Sequence, residues 1–180
     1  SFSSGNLDDA DRSAQNSISF APSAAAYQIQ AGVASSRLDR IAASTTITPT
    51  EAQQAFQTSL SEGINAALTA TRLFPSDYQN WLALGNLYSK AVPLGVAGAY
   101  DSAKTAYEKA QELNPTNPQI PYILAQLDIA NKDIKGAKER LKTAIMLKQD
   151  YTAAIFLLSQ LEVQDGNVKD ALAAALAAAY

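Results

Sequence analysis

The chain has no histidine and no cysteine among its 180 residues. Imidazole bases, thiolate nucleophiles and thiolate metal sites are therefore excluded. What remains for nucleophilic chemistry is serine with lysine as its base. Ser89 adjoins Lys90, and Ser102 lies close to Lys104. Adjacent residues on a helix point about 100° apart, so these read as surface polar residues, not as a nucleophile with its base. Asp8, Asp9 and Asp11 supply part of the acidic spacing of a calcium loop, but the loop's glycine and distal glutamate are missing. The sequence places them instead in the first turn of a helix, where the macrodipole favours negative charge. Gly95 and Gly98 fall in a loop that no strand precedes, so they form no phosphate cradle. Glu51, Glu62, Glu108 and Glu112 are spaced too widely for an acid/base pair. The sequence thus predicts a protein that is not an enzyme and uses no cofactor and no metal.

Composition sets further bounds. At 47% hydrophobic and 17% charged, the chain has ample material for a folded core. A net charge of −3 argues against nucleic acid as a partner, which needs a concentrated basic face. Lys132 to Lys142 does hold four lysines and Arg140, but Asp133 and Glu139 interrupt it, so it reads as a solvated helix face. No run of about 18 apolar residues exists, so this segment is predicted not to insert into a membrane. With no starting methionine and a helical ALAAALAAAY at its end, the chain reads as a piece of something longer.

Proline punctuates the helices on which any site would sit. Pro22, Pro75 and Pro115 each follow an apolar helical run, SISFAP, TRLFP and QELNP. Proline stands naturally just past a helix end because it cannot continue the helix. Ser23, Ser76 and Thr116 or Asn117 follow as candidate N-caps, and Asp150 plays that part after IMLKQ. Thr48-Pro49-Thr50-Glu51 is a capping box with proline at the first helical position. Phe56, Leu60, Ile64, Ala67 and Leu68 then run down one face at helical spacing. The pattern predicts nine helices: one over 7–20 and four antiparallel pairs, 24–42 with 50–74, 77–91 with 98–113, 118–131 with 134–148, and 151–164 with 168–180. No segment alternates at period two, so no strand is predicted.

An internal period of about 34 residues underlies these pairs. Superposing the copies brings Leu84, Leu124 and Leu158 together, and likewise Gly85, Ala125 and Ser159. The Tyr78–Asn117 copy requires six extra residues, which fall in AVPLGV. Glycine costs a helix interior about 1 kcal/mol relative to alanine, so Gly85 inside WLALGNLY needs a reason. Small residues let two helices of a pair close up. Gly85 is predicted to face Ala103, Ala125 to face Ala137, and Ser159 to face Ala171, with Trp81 and Tyr88 packing on neighbouring helices.

Trp81-x2-Leu84-Gly85-x2-Tyr88, then Ala103-x3-Tyr107-x2-Ala110, then Pro115, resembles the tetratricopeptide repeat pattern. In the next copy Pro121 stands at the usual aromatic position and Asp128 at the usual tyrosine, and in the last Gly166 stands at the turn between helices. The resemblance implies an all-α fold, a right-handed superhelix (α-solenoid) of antiparallel helix pairs in a single domain, 1–180. Its parts are the second helix of a truncated repeat (7–22), a divergent long hairpin (24–75), a repeat with the six-residue insertion (77–115), a repeat (118–149) and a C-terminally truncated repeat (151–180).

In that family the first helix of each pair lines a concave wall. The resemblance puts Gln79, Leu82, Asn86, Ser89 and Lys90 there, then Gln119, Tyr122, Gln126 and Ile129, then Ala153, Phe156, Gln160 and Val163. Amides satisfy a peptide backbone, and Tyr122 and Phe156 offer apolar anchors unless they are absorbed in packing. Asn86 and Lys90 match two positions of a carboxylate clamp, but Leu82 stands where lysine is wanted and Ala125 and Gln126 do not complete it, so no clamp is expected. The leading expectation is a non-catalytic protein-interaction scaffold that binds a protein or peptide partner. A second is head-to-tail self-association into filaments through the apolar end 171–180. A third follows from LGNLY, VPLGVAGAY and AIFLLSQLE, whose texture resembles repeat regions of bacterial multi-spanning surface-polysaccharide polymerases and ligases. That likeness implies an extracytoplasmic accessory domain, and it favours that compartment over the cytoplasm.

Overall fold

The computed structural model describes residues 4–20 and 23–167, and every regular element among them is helical. In chain order these are α1 (Ser4–Phe20), α2 (Ala24–Ala43), α3 (Pro49–Leu73), α4 (Tyr78–Ser89), a short 3₁₀ turn (Val92–Leu94), α5 (Ala99–Leu113), α6 (Gln119–Ala130), α7 (Ile134–Leu147) and α8 (Thr152–Gln164). The eight predicted helices that fall on described residues are present, with ends displaced by at most a turn. The ninth, 168–180, lies outside the described residues, and so does Ala171, the predicted neighbour of Ser159. Contacts within the chain gather into two compact units, Ser1–Leu113 and Asn114–Tyr180.

In the first unit α2 packs along α3 and α4 along α5, and α4 also touches α2 and α3. Its core is Ala-rich, with Leu38, Leu84 and Leu87 as the large buried side chains. Gly63 explains how three helices meet there. A Cβ on it would lie 2.7 Å from Ala34 Cβ and 2.9 Å from Leu87 Cδ2. Gly85 is likewise required by close packing, and the side chain that crowds it most closely is that of Tyr107. Ala103 is buried on α5, and so is Tyr107, whose ring carbons would lie 2.5 Å from a Cβ added at Gly85. The ring comes from one turn further along α5. Trp81 packs on this core as expected and donates its indole N–H to the Pro75 carbonyl at 2.8 Å.

In the second unit α6 packs on α7 and α7 on α8. Ala125, Ala137, Leu141, Ala144, Ala154, Leu158 and Leu161 form its core. The small pair Ala125 and Ala137 is fully buried within this cluster.

Helix ends follow local chemistry, with some substitutions of residue. Thr48 and Glu51 form the reciprocal capping box, and Ser23 accepts from Ala26 N–H. For α4 the cap is Asp77, not Ser76: its carboxylate accepts from Gln79 N–H at 2.9 Å. Asn117 accepts from Gln119 N–H at 3.0 Å at the start of α6. Asp150 caps nothing with its side chain; α8 opens at Tyr151 without a side-chain cap. α1 begins at Ser4, so its first turn contains no acidic residue. Asp8, Asp9 and Asp11 fall further along, beyond strong macrodipole influence, and Asp9 sits 3.8 Å from Arg12 on the exposed surface.

Candidate functional site

Of the residues expected to line a binding wall, Gln79, Leu82, Asn86 and Lys90 belong to the first unit and Gln119, Tyr122, Gln126, Phe156 and Gln160 to the second. The structure puts the two sets to different uses.

On α4, Gln79 and Asn86 are exposed and Leu82 half-buried. Asn86 is already engaged, because its Oδ1 accepts the Tyr107 hydroxyl at 2.7 Å, with Ser89 Oγ 3.3 Å from that hydroxyl. Burial pushes the Tyr107 phenol up to about 12, against a smaller opposing effect of Ser89. Lys90 pairs with Asp39 on α2. Ser89 donates to the Asn86 carbonyl at 2.9 Å. Ser89 and Lys90 are thus turned to separate structural partners and do not assemble as nucleophile and base. Lys104 lies 5.7 Å from the Tyr100 ring centroid, a cation–π contact.

On α6 and α8 the outward side chains are less committed. α6 starts with Pro118 and the buried Pro121 in its first turn, where the missing N–H groups have no intrahelical acceptor in any case. Past its C-cap Asn131 the chain turns at Lys132, whose φ of 66° is left-handed. The Asp133 N–H returns to the Asp128 carbonyl at 2.8 Å and Lys132 N–H to Ile129 at 2.9 Å, a Schellman closure. α8 ends in the same way on Gly166, with Asn167 N–H to Glu162 at 2.8 Å and Gly166 N–H to Val163 at 3.0 Å. These matched ends fix where the two helices stop.

Phe156 is 63% exposed and Val163 55% exposed, one face of α8 that also carries Gln160 and Gln164 around a shallow apolar recess. Gln119 and Gln126 are exposed on α6. Tyr122 is half-buried: its ring stands 5.3 Å from that of Tyr151, just before α8, and its hydroxyl oxygen accepts from Gln126 at 3.3 Å. Tyr122 is therefore partly absorbed into packing, whereas Phe156 is not. Burial raises the Tyr151 phenol, assisted by Tyr122.

The charges of the second unit sit elsewhere. Asp128 is buried on α6 and accepts from Arg140 Nε at 3.0 Å. Glu162 is buried on α8 and accepts from Lys138 at 2.8 Å and from Asn167 Nδ2 at 3.0 Å. Lys138 also reaches Asp165 at 2.5 Å. Hydrogen bonds from Lys138, then Asn167, hold the Glu162 carboxyl below its usual range. Asp165, then Glu162, hold the Lys138 ammonium above its own. Lys138 and Arg140 therefore turn inward, which corrects the reading of Lys132–Lys142 as a wholly solvated face; Lys132, Lys135 and Lys142 do remain exposed. Sequence reasoning also missed Asn80. Fully buried, it donates to the Ala70 and Phe74 carbonyls at 3.2 and 3.0 Å and accepts from Gln28 at 2.7 Å. An asparagine beside Trp81 in the first turn of α4 was the available signal, but the acceptors at the end of α3 could not be foreseen.

Residues 97–155 match the tetratricopeptide repeat family model. The match runs from the end of the 3₁₀ connection into α8, across the segment where the repeat pattern is most regular. Solved structures agree on the fold. MamA superposes with a TM-score of 0.69 at 14% identity, covering 97% of this chain and 87% of that one. TTC0263, a thermophilic tetratricopeptide repeat protein of Thermus thermophilus, gives 0.65 at 16% identity, with 97% and 82% covered. A MamA RS-1 ArsTM double mutant gives 0.57 at 12% identity, with 96% and 92% covered. No curated protein matches the chain. The fold class is thus all-α with tetratricopeptide-type helix pairs. These comparisons do not bear on the narrower resemblance to polysaccharide polymerases and ligases. Among the described residues no helix is long and apolar enough to cross a membrane. The apolar end expected to make head-to-tail contact, 171–180, lies outside the described residues.

Proposed function

We propose that this chain is a non-catalytic protein-interaction scaffold, and that its second unit contacts a partner segment through Phe156, Gln160 and Gln126, with Tyr122 at the margin. The repeat fold supports the scaffold reading, because tetratricopeptide repeats serve generally in protein interaction. The observation that carries the site is Phe156. Every other large apolar residue in the first two turns of α8 is at least partly buried, while Phe156 stands 63% exposed. Covering such a side chain yields roughly 1.5–3 kcal/mol, enough for an interface anchor. The neighbouring amides can pair with a partner's backbone without carrying charge.

Phe156→Ala tests this cleanly, since an exposed side chain contributes little to the fold. The variant is expected to keep its helicity and thermal midpoint and to lose most partner recovery in co-precipitation. Unchanged recovery overturns the site. Asn86→Ala is a poor test, because it strips the buried Tyr107 hydroxyl of its closest partner.

A further inference from the structure

The second unit segregates charge by helix. From Asn114 to Asn131 the sole charged residue is Asp128, and from Tyr151 to Gln164 it is Glu162. Both are buried, and each is bound to a cation of α7, Asp128 to Arg140 and Glu162 to Lys138. The exposed residues of α8 all lie within one arc of about a third of the helix circumference. They are Thr152, Ala153, Phe156, Gln160, Val163 and Gln164, and none is ionisable. The exposed and half-exposed residues of α6 form a similar uncharged arc, and the two helices share a core. The lysines left in water are on α7 and at its ends; of these Lys148 lies 5.8 Å from the Tyr151 ring that packs on Tyr122, so it is around Phe156 and Val163 that the face is uncharged.

An uncharged docking face selects its ligand by desolvation. A charged side chain brought against Phe156 and Val163 would lose water and find no counter-charge there, a penalty of several kcal/mol unless it swings clear. An apolar or amide side chain loses little and gains contact area. A surface that seizes acidic or carboxylate ligands needs cations upon it. Here two cations of the neighbouring helix, Lys138 and Arg140, are consumed inward.

We infer that the partner segment docked on α6 and α8 is uncharged and apolar-anchored, and that its binding is insensitive to salt. This deepens the interaction reading above and rests on it. Coulombic binding weakens as salt shortens the screening length, whereas burial of apolar surface does not.

The experiment is a selection of short random peptides displayed on phage, with the full chain immobilised and Phe156→Ala as the control bait. Enriched peptides are expected to lack Asp, Glu, Lys and Arg near their apolar residues. Their retention should change less than about twofold between low and high salt, and fall on the order of tenfold on Phe156→Ala. Enrichment of charged peptides, or elution by salt, that still depends on Phe156 overturns the inference and leaves the interaction reading standing. Concentration-dependent self-association abolished by Phe156→Ala makes a second copy the occupant, and also overturns it. If no peptide is enriched and the chain stays monomeric, the interaction reading fails as well.

Discussion

Gly85 shows how much a single hydrogen atom in place of a methyl can hold. An alanine there would gain about 1 kcal/mol of helix propensity. It would also drive a Cβ to within 2.5 Å of the Tyr107 ring, which is buried and tied by its hydroxyl to Asn86. Overpacking of this kind typically costs about 1–3 kcal/mol, and the ring cannot retreat without breaking that hydrogen bond. Gly85→Ala is therefore expected to destabilise the first unit by up to about 2 kcal/mol net, read as a lower urea midpoint. A neutral or stabilising result would mean that the ring swings freely. Asp128 belongs to the same scale. At the position where the repeat pattern has a tyrosine, a carboxylate survives because Arg140 meets it, and among the described residues no buried side-chain polar atom lacks a partner. The type of residue at that position was plain from the sequence; the partner that makes it tolerable was not.

At the scale of elements, the two helices that carry the candidate site close by the same motif on different residues. α8 uses Gly166 at φ 78°, where glycine has no steric penalty. α6 uses Lys132 at φ 66°, where a side chain costs roughly 1–2 kcal/mol. Lys132 is exposed, so little packing offsets that cost. Lys132→Gly should accordingly stabilise the second unit by about 1 kcal/mol, less the entropy that glycine adds to the unfolded chain. Thermal unfolding would register this as a higher midpoint; a fall would show that the lysine stem makes compensating contacts. Helix existence, order and most ends were legible because caps, prolines and periodicity are local signals. Ser76 and Asp150 misled for a local reason too, since a neighbouring residue, Asp77 or Tyr151, took the cap position instead.

At the scale of the whole molecule, pH acts through a few paired carboxylates. Glu162 is held below its ordinary 4.5 by Lys138 and Asn167, and Glu51 below it by the Thr48 backbone and hydroxyl. A depressed carboxylate contributes stability that is complete above its unfolded value and is lost as pH falls through the folded one. Lys138 is raised above 10.5, so its share is complete below that value and is lost as pH climbs through the higher folded one. Stability from the Lys138–Glu162 pair is thus flat between about pH 5 and pH 10 and falls on either side. Glu162→Gln should flatten the acid limb of a midpoint-versus-pH curve without removing it, because Glu51 still titrates. An acid limb as steep as that of the parent chain would refute the assignment.

Helicity, most helix boundaries and the need for small residues at Gly85, Ala125 and Ala137 could be read from the chain alone. These are properties of neighbours within about one turn, encoded in propensity, capping and period. Helix packing settled the rest: that the Tyr107 ring closes over Gly85, that Asn86 and Lys90 are spent on Tyr107 and Asp39, and that Lys138 and Arg140 turn inward. Each of these depends on how far one helix slides along another. A shift of a single turn, about 5.4 Å, exchanges one partner for the next and leaves the periodic pattern of both helices unchanged.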